Sequence, residues 1–175
     1  MPLALEDTLA DHEASDPRRA DFGPVACNAV AMNEQRTIAE SSSEVAELYA
    51  AALAARDRSH SPYSGYRVGA AIRTTTGDVF ACCNVENAAY PESVCAEGGA
   101  ISMMVVGSES TPVIADVVTI TSGDTPGTAC GGCRQKIREF AGPETRIHSA
   151  TDTGLVFTMD MAELLPESFG PDRLL

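Results

Sequence analysis

The chain has 175 residues, enough for one domain with its own core, and its 44% hydrophobic and 21% charged content is that of a soluble globular protein. A net charge of -13 excludes nucleic acid as a partner and argues equally against docking on an anionic membrane. No apolar run approaches the ~20 residues of a spanning helix, and "MPLALEDTLADHEASDPRRADFG" lacks the basic head and apolar core of a secretory signal, so a cytoplasmic protein is expected.

Residues 1–40 are acidic, rich in small residues and broken by Pro2, Pro17 and Pro24. They read as an extension, poorly ordered or loosely docked, ahead of a folded domain over 41–175. Ser41 with Glu44 forms a capping-box pattern, and Val45, Leu48, Tyr49, Ala52 and Leu53 then recur at helical spacing. "SPYSG" reads as a turn, and "YRVGAAIRT" and "VFACCNVE" flank "TTGD" as a hairpin. "CAEGGAISMMVV" predicts a helix of about three turns, and "ADVVTITS" a strand with an apolar centre. "CGGCRQKIREF" is a second helix headed by a cysteine, ended by Gly142 and Pro143. "TRIHSA" and "LVFTMD" make a last strand pair around "TDTG", and "MAELLP" closes the chain as a short helix.

This order, α-β-β-α-β-α-β-β-α, predicts an α/β fold, a three-layer α/β/α arrangement with a five-stranded mixed sheet. Right-handed crossovers gather the helix N-termini that follow strands at one sheet edge. The two cysteine-headed helices are therefore expected to meet at their heads.

Six cysteines in a reducing compartment point to metal or chemistry rather than disulfides. Cys130 and Cys133 have C-x-x-C spacing at a helix start, where the macrodipole and free amides lower thiol pKa values. Such a pair shares one zinc or forms a redox dithiol. Cys95, heading the preceding helix, offers a third ligand and favours zinc. Three ligands suit a catalytic zinc, which keeps one position for water, whereas a structural zinc wants four. Cys82 and Cys83 are adjacent on a strand, face opposite ways and read as packing residues. His12 falls in the extension, His60 in a loop, and His148 mid-strand, where a satisfied or exposed histidine is expected. Glu97, two residues beyond Cys95, can reach the zinc's open position without binding the metal. Gly98 and Gly99 leave room at the helix head.

The segments "SPYSGYRVGAAI", "CNVENAAYPESVCAE", "CGGCRQKIREF" and "ELLPESFGPDRL" resemble the small homotetrameric zinc-dependent cytidine deaminases, in family order over about two-thirds of the chain. A cysteine, then x-E, then C-x-x-C is also the general signature of zinc deaminases. The resemblance implies one zinc per chain held by Cys95, Cys130 and Cys133. It implies that zinc hydroxide attacks C4 of cytosine while Glu97 shuttles protons. Asn84 and Glu86 match the ribose-binding pair, and Tyr90 and the backbone of Ala96 match positions lining the base site. Tyr66 stands at the usual phenylalanine position against the pyrimidine. Phe169 matches a ring that a neighbouring subunit contributes, against the plainer reading of a C-terminal hydrophobic anchor. The partner implied is a small pyrimidine nucleoside, not nucleic acid or membrane.

This chain departs from the family pattern at Gly98, where an arginine usually offsets thiolate charge, and at Arg67 and Ala129, where proline is usual. Arg134, directly after Cys133, is therefore expected to donate to a ligand sulfur and supply that charge compensation. The alternatives are a deaminase of a modified or N4-substituted cytidine, a nucleobase or an aminonucleoside antibiotic, and, outside enzymes, a structural zinc or dithiol redox protein. "NVEN" and the tail motif favour plain nucleosides, and a non-enzyme would leave Glu97 without a task.

Overall fold

The computed structural model describes residues 36–174. The extension expected over 1–40 lies outside the described residues up to position 35, as do Cys27 and His12. Ten elements follow in chain order: β1 (Arg36–Thr37), α1 (Ser43–Arg56), β2 (Gly69–Thr74), β3 (Val79–Cys83), α2 (Ala96–Gly107), β4 (Ile114–Thr121), α3 (Gly131–Phe140), β5 (Ala141–Thr151), β6 (Leu155–Asp160) and α4 (Met161–Leu164). One mixed sheet runs in the order β1-β6-β5-β4-β2-β3. Only β4 and β5 are parallel neighbours, and every other pair is antiparallel.

The sheet has six strands instead of the expected five. The additional one is β1, two residues that pair Arg36 with Val156 and Thr37 with Leu155. Two residues carry no readable alternation, so periodicity could not reveal them. Thr37 and Glu40 then form a reciprocal capping box, and the Ile38 amide donates to the Gly154 carbonyl. Residues 36–40, assigned by sequence to the extension, are thus part of the sheet edge. Helix α1 is capped by Ser42, whose hydroxyl accepts from the Val45 amide, and not by Ser41. β5 starts directly after α3, so Gly142 and Pro143 sit in its irregular first stretch, where pairing with β4 shifts register.

The period of two along the strands divides the core into two layers. Ala71, Val118, Ile120, Ala150 and Val156 face α1, where Leu48, Tyr49 and Ala52 cover them. Ile72, Val117, Ile147 and Met159 face the other way, against Ile101 and Met104 of α2 and Ile137 of α3. The three-layer α/β/α architecture read from the sequence is the one observed.

The topology decides where the helix heads lie. β3 and β4 are each antiparallel to β2, so they run the same way, as does β5. The steps β3-α2-β4 and β4-α3-β5 both advance in one direction across the sheet. Two right-handed crossovers in one direction place both helices on the same face. The N-termini of α2 and α3 therefore start at the same sheet edge, beyond the C-terminal ends of β3 and β4.

Leu48 is fully buried between α1 and the sheet. Leu48→Ala is expected to cost about 2–5 kcal/mol in urea unfolding, through lost burial and the cavity left behind. A cost under about 1 kcal/mol would mean that the α1 layer is not packed as described.

Candidate active site

Cys95 is the N-cap of α2, Cys130 the N-cap of α3, and Cys133 the third residue of α3. Their sulfurs all lie within 4.8 Å of one another. Cys95 Sγ and Cys130 Sγ are 3.9 Å apart. A tetrahedral site with zinc–sulfur bonds of about 2.3 Å separates its sulfurs by about 3.8 Å, so the trio fits a single zinc. Among the described residues, no fourth cysteine, histidine or carboxylate joins this ligand group.

The three thiols differ in electrostatic setting. Cys130 is held below the ordinary thiol range, chiefly because the Cys133 backbone N–H donates to it. Burial pushes Cys95 up, and the Cys130 charge adds to the effect. Burial pushes Cys133 up far more strongly, reinforced by the Glu97 carboxylate. The lowering expected at a helix head therefore holds only for Cys130, at the cap itself. Cys133 lies inside the first turn with no solvent exposure, where desolvation outweighs the dipole. Three such thiols ionise together only around a cation, which is the behaviour of a metal-binding set.

Glu97, in the first turn of α2, is only 4% exposed. Thr119 Oγ1 donates to Glu97 Oε1 at 3.5 Å from the neighbouring strand β4. The carboxylate lies against Cys133. Glu97, Ala96, Cys95 and Cys130 line a cavity of about 540 Å³, a volume within the ~300–1,000 Å³ of small-molecule sites. Tyr66, Asn84, Glu86 and Tyr90 also line its wall.

Asn84 and Glu86 also brace the loop that forms this wall. Asn84 Oδ1 accepts from Val68 N at 2.8 Å and Ser59 Oγ at 2.5 Å, and its Nδ2 donates to the Tyr66 carbonyl at 2.9 Å. Glu86 accepts from the amides of Tyr63 and Ser64 at 2.9 and 3.2 Å and from the Ser64 hydroxyl. Those bonds, the hydroxyl first, hold its carboxyl below the ordinary range and keep it ionised. Tyr63 and Tyr90 meet edge-to-face, with ring centroids 5.9 Å apart.

Two expected residues lie elsewhere. Arg134 donates to none of the three sulfurs. Its Nε bonds the Ala129 carbonyl at 2.8 Å, and its other nitrogens bond the Leu164 carbonyl at 3.0 Å and Thr128 Oγ1 at 2.9 Å. Successive helical side chains diverge by about 100°, so with Cys133 turned inward Arg134 points along the C-terminal segment and ties it to α3. Phe169 is 59% exposed and lines no part of its own chain's cavity. Its carbonyl accepts from Gln135 Nε2 at 2.8 Å, while Arg138 holds Ser168 and Asp172.

The remaining expectations divide cleanly. Cys82 and Cys83 stay outside the sulfur cluster. A Cβ on Gly99 would stand 2.6 Å from Cys82 Sγ, so glycine lets β3 lie against the first turn of α2. His148 is satisfied, between Thr158 Oγ1 at 2.9 Å and Asp116 Oδ1 at 3.1 Å. Thr119 and Thr121, which line the cavity, were missed. Their signal was alternate threonines at the C-terminal end of an otherwise apolar strand, where ligands bind in α/β sheets.

Residues 21–126 match the family model described as the cytidine and deoxycytidylate deaminase zinc-binding region. A cytidine deaminase of Sporosarcina psychrophila is 36% identical over 132 residues, covering 75% of this chain and 95% of that one. A cytidine deaminase of Mycobacterium tuberculosis is 35% identical over 114 residues, covering 65% of this chain and 80% of its own. The crystal structure of cytidine deaminase from Burkholderia pseudomallei superposes with a TM-score of 0.65 at 36% identity, covering 71% of this chain and 98% of that one. With the sulfur trio, the buried glutamate and these matches in agreement, the chain belongs to the cytidine and deoxycytidylate deaminase family.

Proposed function

We propose that this protein hydrolyses cytidine and deoxycytidine to uridine and deoxyuridine, with release of ammonia, using one zinc per chain. The observation that carries this reading is the buried carboxylate of Glu97 beside three clustered sulfurs, with Glu97, Cys95 and Cys130 lining one cavity. Cys95, Cys130 and Cys133 hold the zinc, which when bound supplies a Lewis acid that activates water.

Glu97 takes a proton from the attacking water at a carboxylate oxygen and delivers it to N3 of the base. It then takes the proton of the new C4 hydroxyl and gives it to the departing amine, so that one group acts as base and then acid in each half of the reaction. Thr119 fixes the rotation of that carboxylate. Burial keeps bulk water from competing for the proton. Glu86, with acceptor capacity left beyond its loop contacts, accepts from a ribose hydroxyl, and Asn84 donates to the ribose with the Nδ2–H its loop contacts leave free. Tyr66, Tyr90 and the backbone of Ala96 enclose the pyrimidine.

The working unit is read as a homotetramer, with Phe169 completing the cavity of a neighbouring copy. Support comes from the exposure of that ring and from Met103, Val105 and Val106, which leave an apolar stretch uncovered on α2. The reaction returns pyrimidine nucleosides to the uridine pool. A cytoplasmic location suits a site built on reduced thiols. Among the described residues, no helix is long and apolar enough to cross a membrane.

Loss of absorbance from cytidine, measured alongside metal content, tests the reading directly. Cys95→Ala, Cys130→Ala and Cys133→Ala are expected to lose zinc, whereas Cys82→Ala and Cys83→Ala retain about one per chain. Zinc loss from either of the latter would show that the ligands are misassigned.

Glu97→Gln preserves shape and removes the proton carrier. Turnover should fall at least ~10²-fold while zinc and nucleoside binding persist. Near-normal turnover in this variant contradicts the assignment.

Phe169→Ala should raise KM for cytidine several-fold with little change in the thermal midpoint, because the ring is exposed within its own chain. Sedimentation of the parent protein checks the assembly. A fully active monomer rules out completion across subunits.

A further inference from the structure

The two helix heads gather more negative charge than one divalent cation balances. Three thiolates and the Glu97 carboxylate exceed a zinc ion by two unit charges. Uncompensated, that excess weakens the metal as a Lewis acid and opposes ionisation of the last thiol. Backbone amides at the helix starts offset part of it, as at Cys130. Arg134 adjoins a ligand but spends its bonds on the carbonyls of Ala129 and Leu164 and on Thr128.

The next basic side chain on α3 is Lys136, one turn beyond Cys133. Facing it on α2 is Gly98, one turn beyond Cys95. A Cβ built on Gly98 would stand 3.5 Å from Lys136 Nζ and 3.7 Å from Lys136 Cδ. The ammonium thus lies beside the bare backbone of α2, in van der Waals range of where a Cβ at position 98 would stand. Gly98 and Lys136 are each one turn along their helices from a clustered sulfur. Among the described residues, Lys136 has no hydrogen-bond or ion-pair partner that would draw it away.

We infer that Lys136 supplies the cation that offsets the sulfur ligands, and that Gly98 is its seat. Lys136 acts through the ligands and touches neither substrate nor reacting atoms. The inference rests on the proposed zinc ligation by Cys95, Cys130 and Cys133. It gives Gly98 a physical reason distinct from that of Gly99, whose missing side chain admits Cys82.

The test compares the zinc-loaded parent protein with Lys136→Met, Lys136→Arg and the double variant Gly98→Arg/Lys136→Met. Each is titrated with a chelator while bound zinc is measured. Lys136→Met should release zinc with about tenfold weaker affinity, the lower end for residues that support metal ligands, because Lys136 is exposed. Lys136→Arg should stay near the parent, since the charge remains. The double variant should recover part of the loss, with the cation now reaching in from α2. High salt should narrow the gap between Lys136→Met and the parent. Thermal midpoints of the metal-stripped proteins should agree, which separates this effect from packing. Parent-like retention by Lys136→Met overturns the inference, as does a Lys136→Arg as weak as Lys136→Met. In both cases a zinc-replete parent leaves the ligand assignment standing. A parent that binds no zinc overturns the ligand assignment and this inference together.

Discussion

Three sulfurs and a carboxylate crowded at two helix starts repel one another, and the rest of the site is arranged around that repulsion. Burial raises Cys95 and Cys133, while a single well-directed amide lowers Cys130. The set is therefore poorly ionised by itself and well matched to a small divalent cation. A fold that brings the three sulfurs within 4.8 Å of one another must hold them there as they ionise. The holding force is the packing of α2 and α3 on one sheet face, through Ile101, Met104 and Ile137. Packing of this kind is non-directional and strong enough in aggregate to oppose a local electrostatic cost.

One wall of the cavity is held in place by polar bonds. Asn84 satisfies three backbone or hydroxyl groups of the loop between α1 and β2, and Glu86 satisfies three more. A loop held in this way is positioned without a core of its own. The same two side chains then line the cavity, Glu86 with acceptor capacity remaining and Asn84 with one Nδ2–H. One pair of residues thus orders the wall and presents polar groups to whatever enters. Substituting either one changes both properties together, so a loss of binding at these positions carries a structural component.

The C-terminal segment illustrates a different economy. Arg134, Gln135 and Arg138, three side chains of α3, hold residues 164–172 by hydrogen bonds, and Arg138 adds an ion pair with Asp172. The segment is fixed along its backbone while its one aromatic ring is left outward. That ring and the apolar residues Met103, Val105 and Val106 of α2 are exposed within the chain.

The sequence by itself determined the chemistry and most of the architecture. Helical spacing through Leu48, Tyr49 and Ala52, the hairpin at "TTGD" and the two cysteine-headed helices are local patterns, and local patterns are written in residue order. The meeting of Cys95 with Cys130 and Cys133 was legible because crossover handedness is nearly invariant. What only the tertiary structure decided concerns groups whose neighbours are distant in the chain. The two-residue strand β1 exists because β6 has an edge to pair with, and nothing in "RT" announces it. Thr119 of β4 meets Glu97 of α2 across 22 residues of chain, a contact that only the fold creates. Arg134 looked like the ligand-side cation by adjacency, yet adjacent helical residues point apart, and its acceptors lie at Leu164 and in the loop before α3. Lys136 and Gly98 face one another across two helices, and Gly99 faces Cys82 across a helix and a strand. Sequence fixes which groups are available. Which of them touch is set by long-range packing, because the free energy of a contact depends on three-dimensional neighbours and not on chain separation.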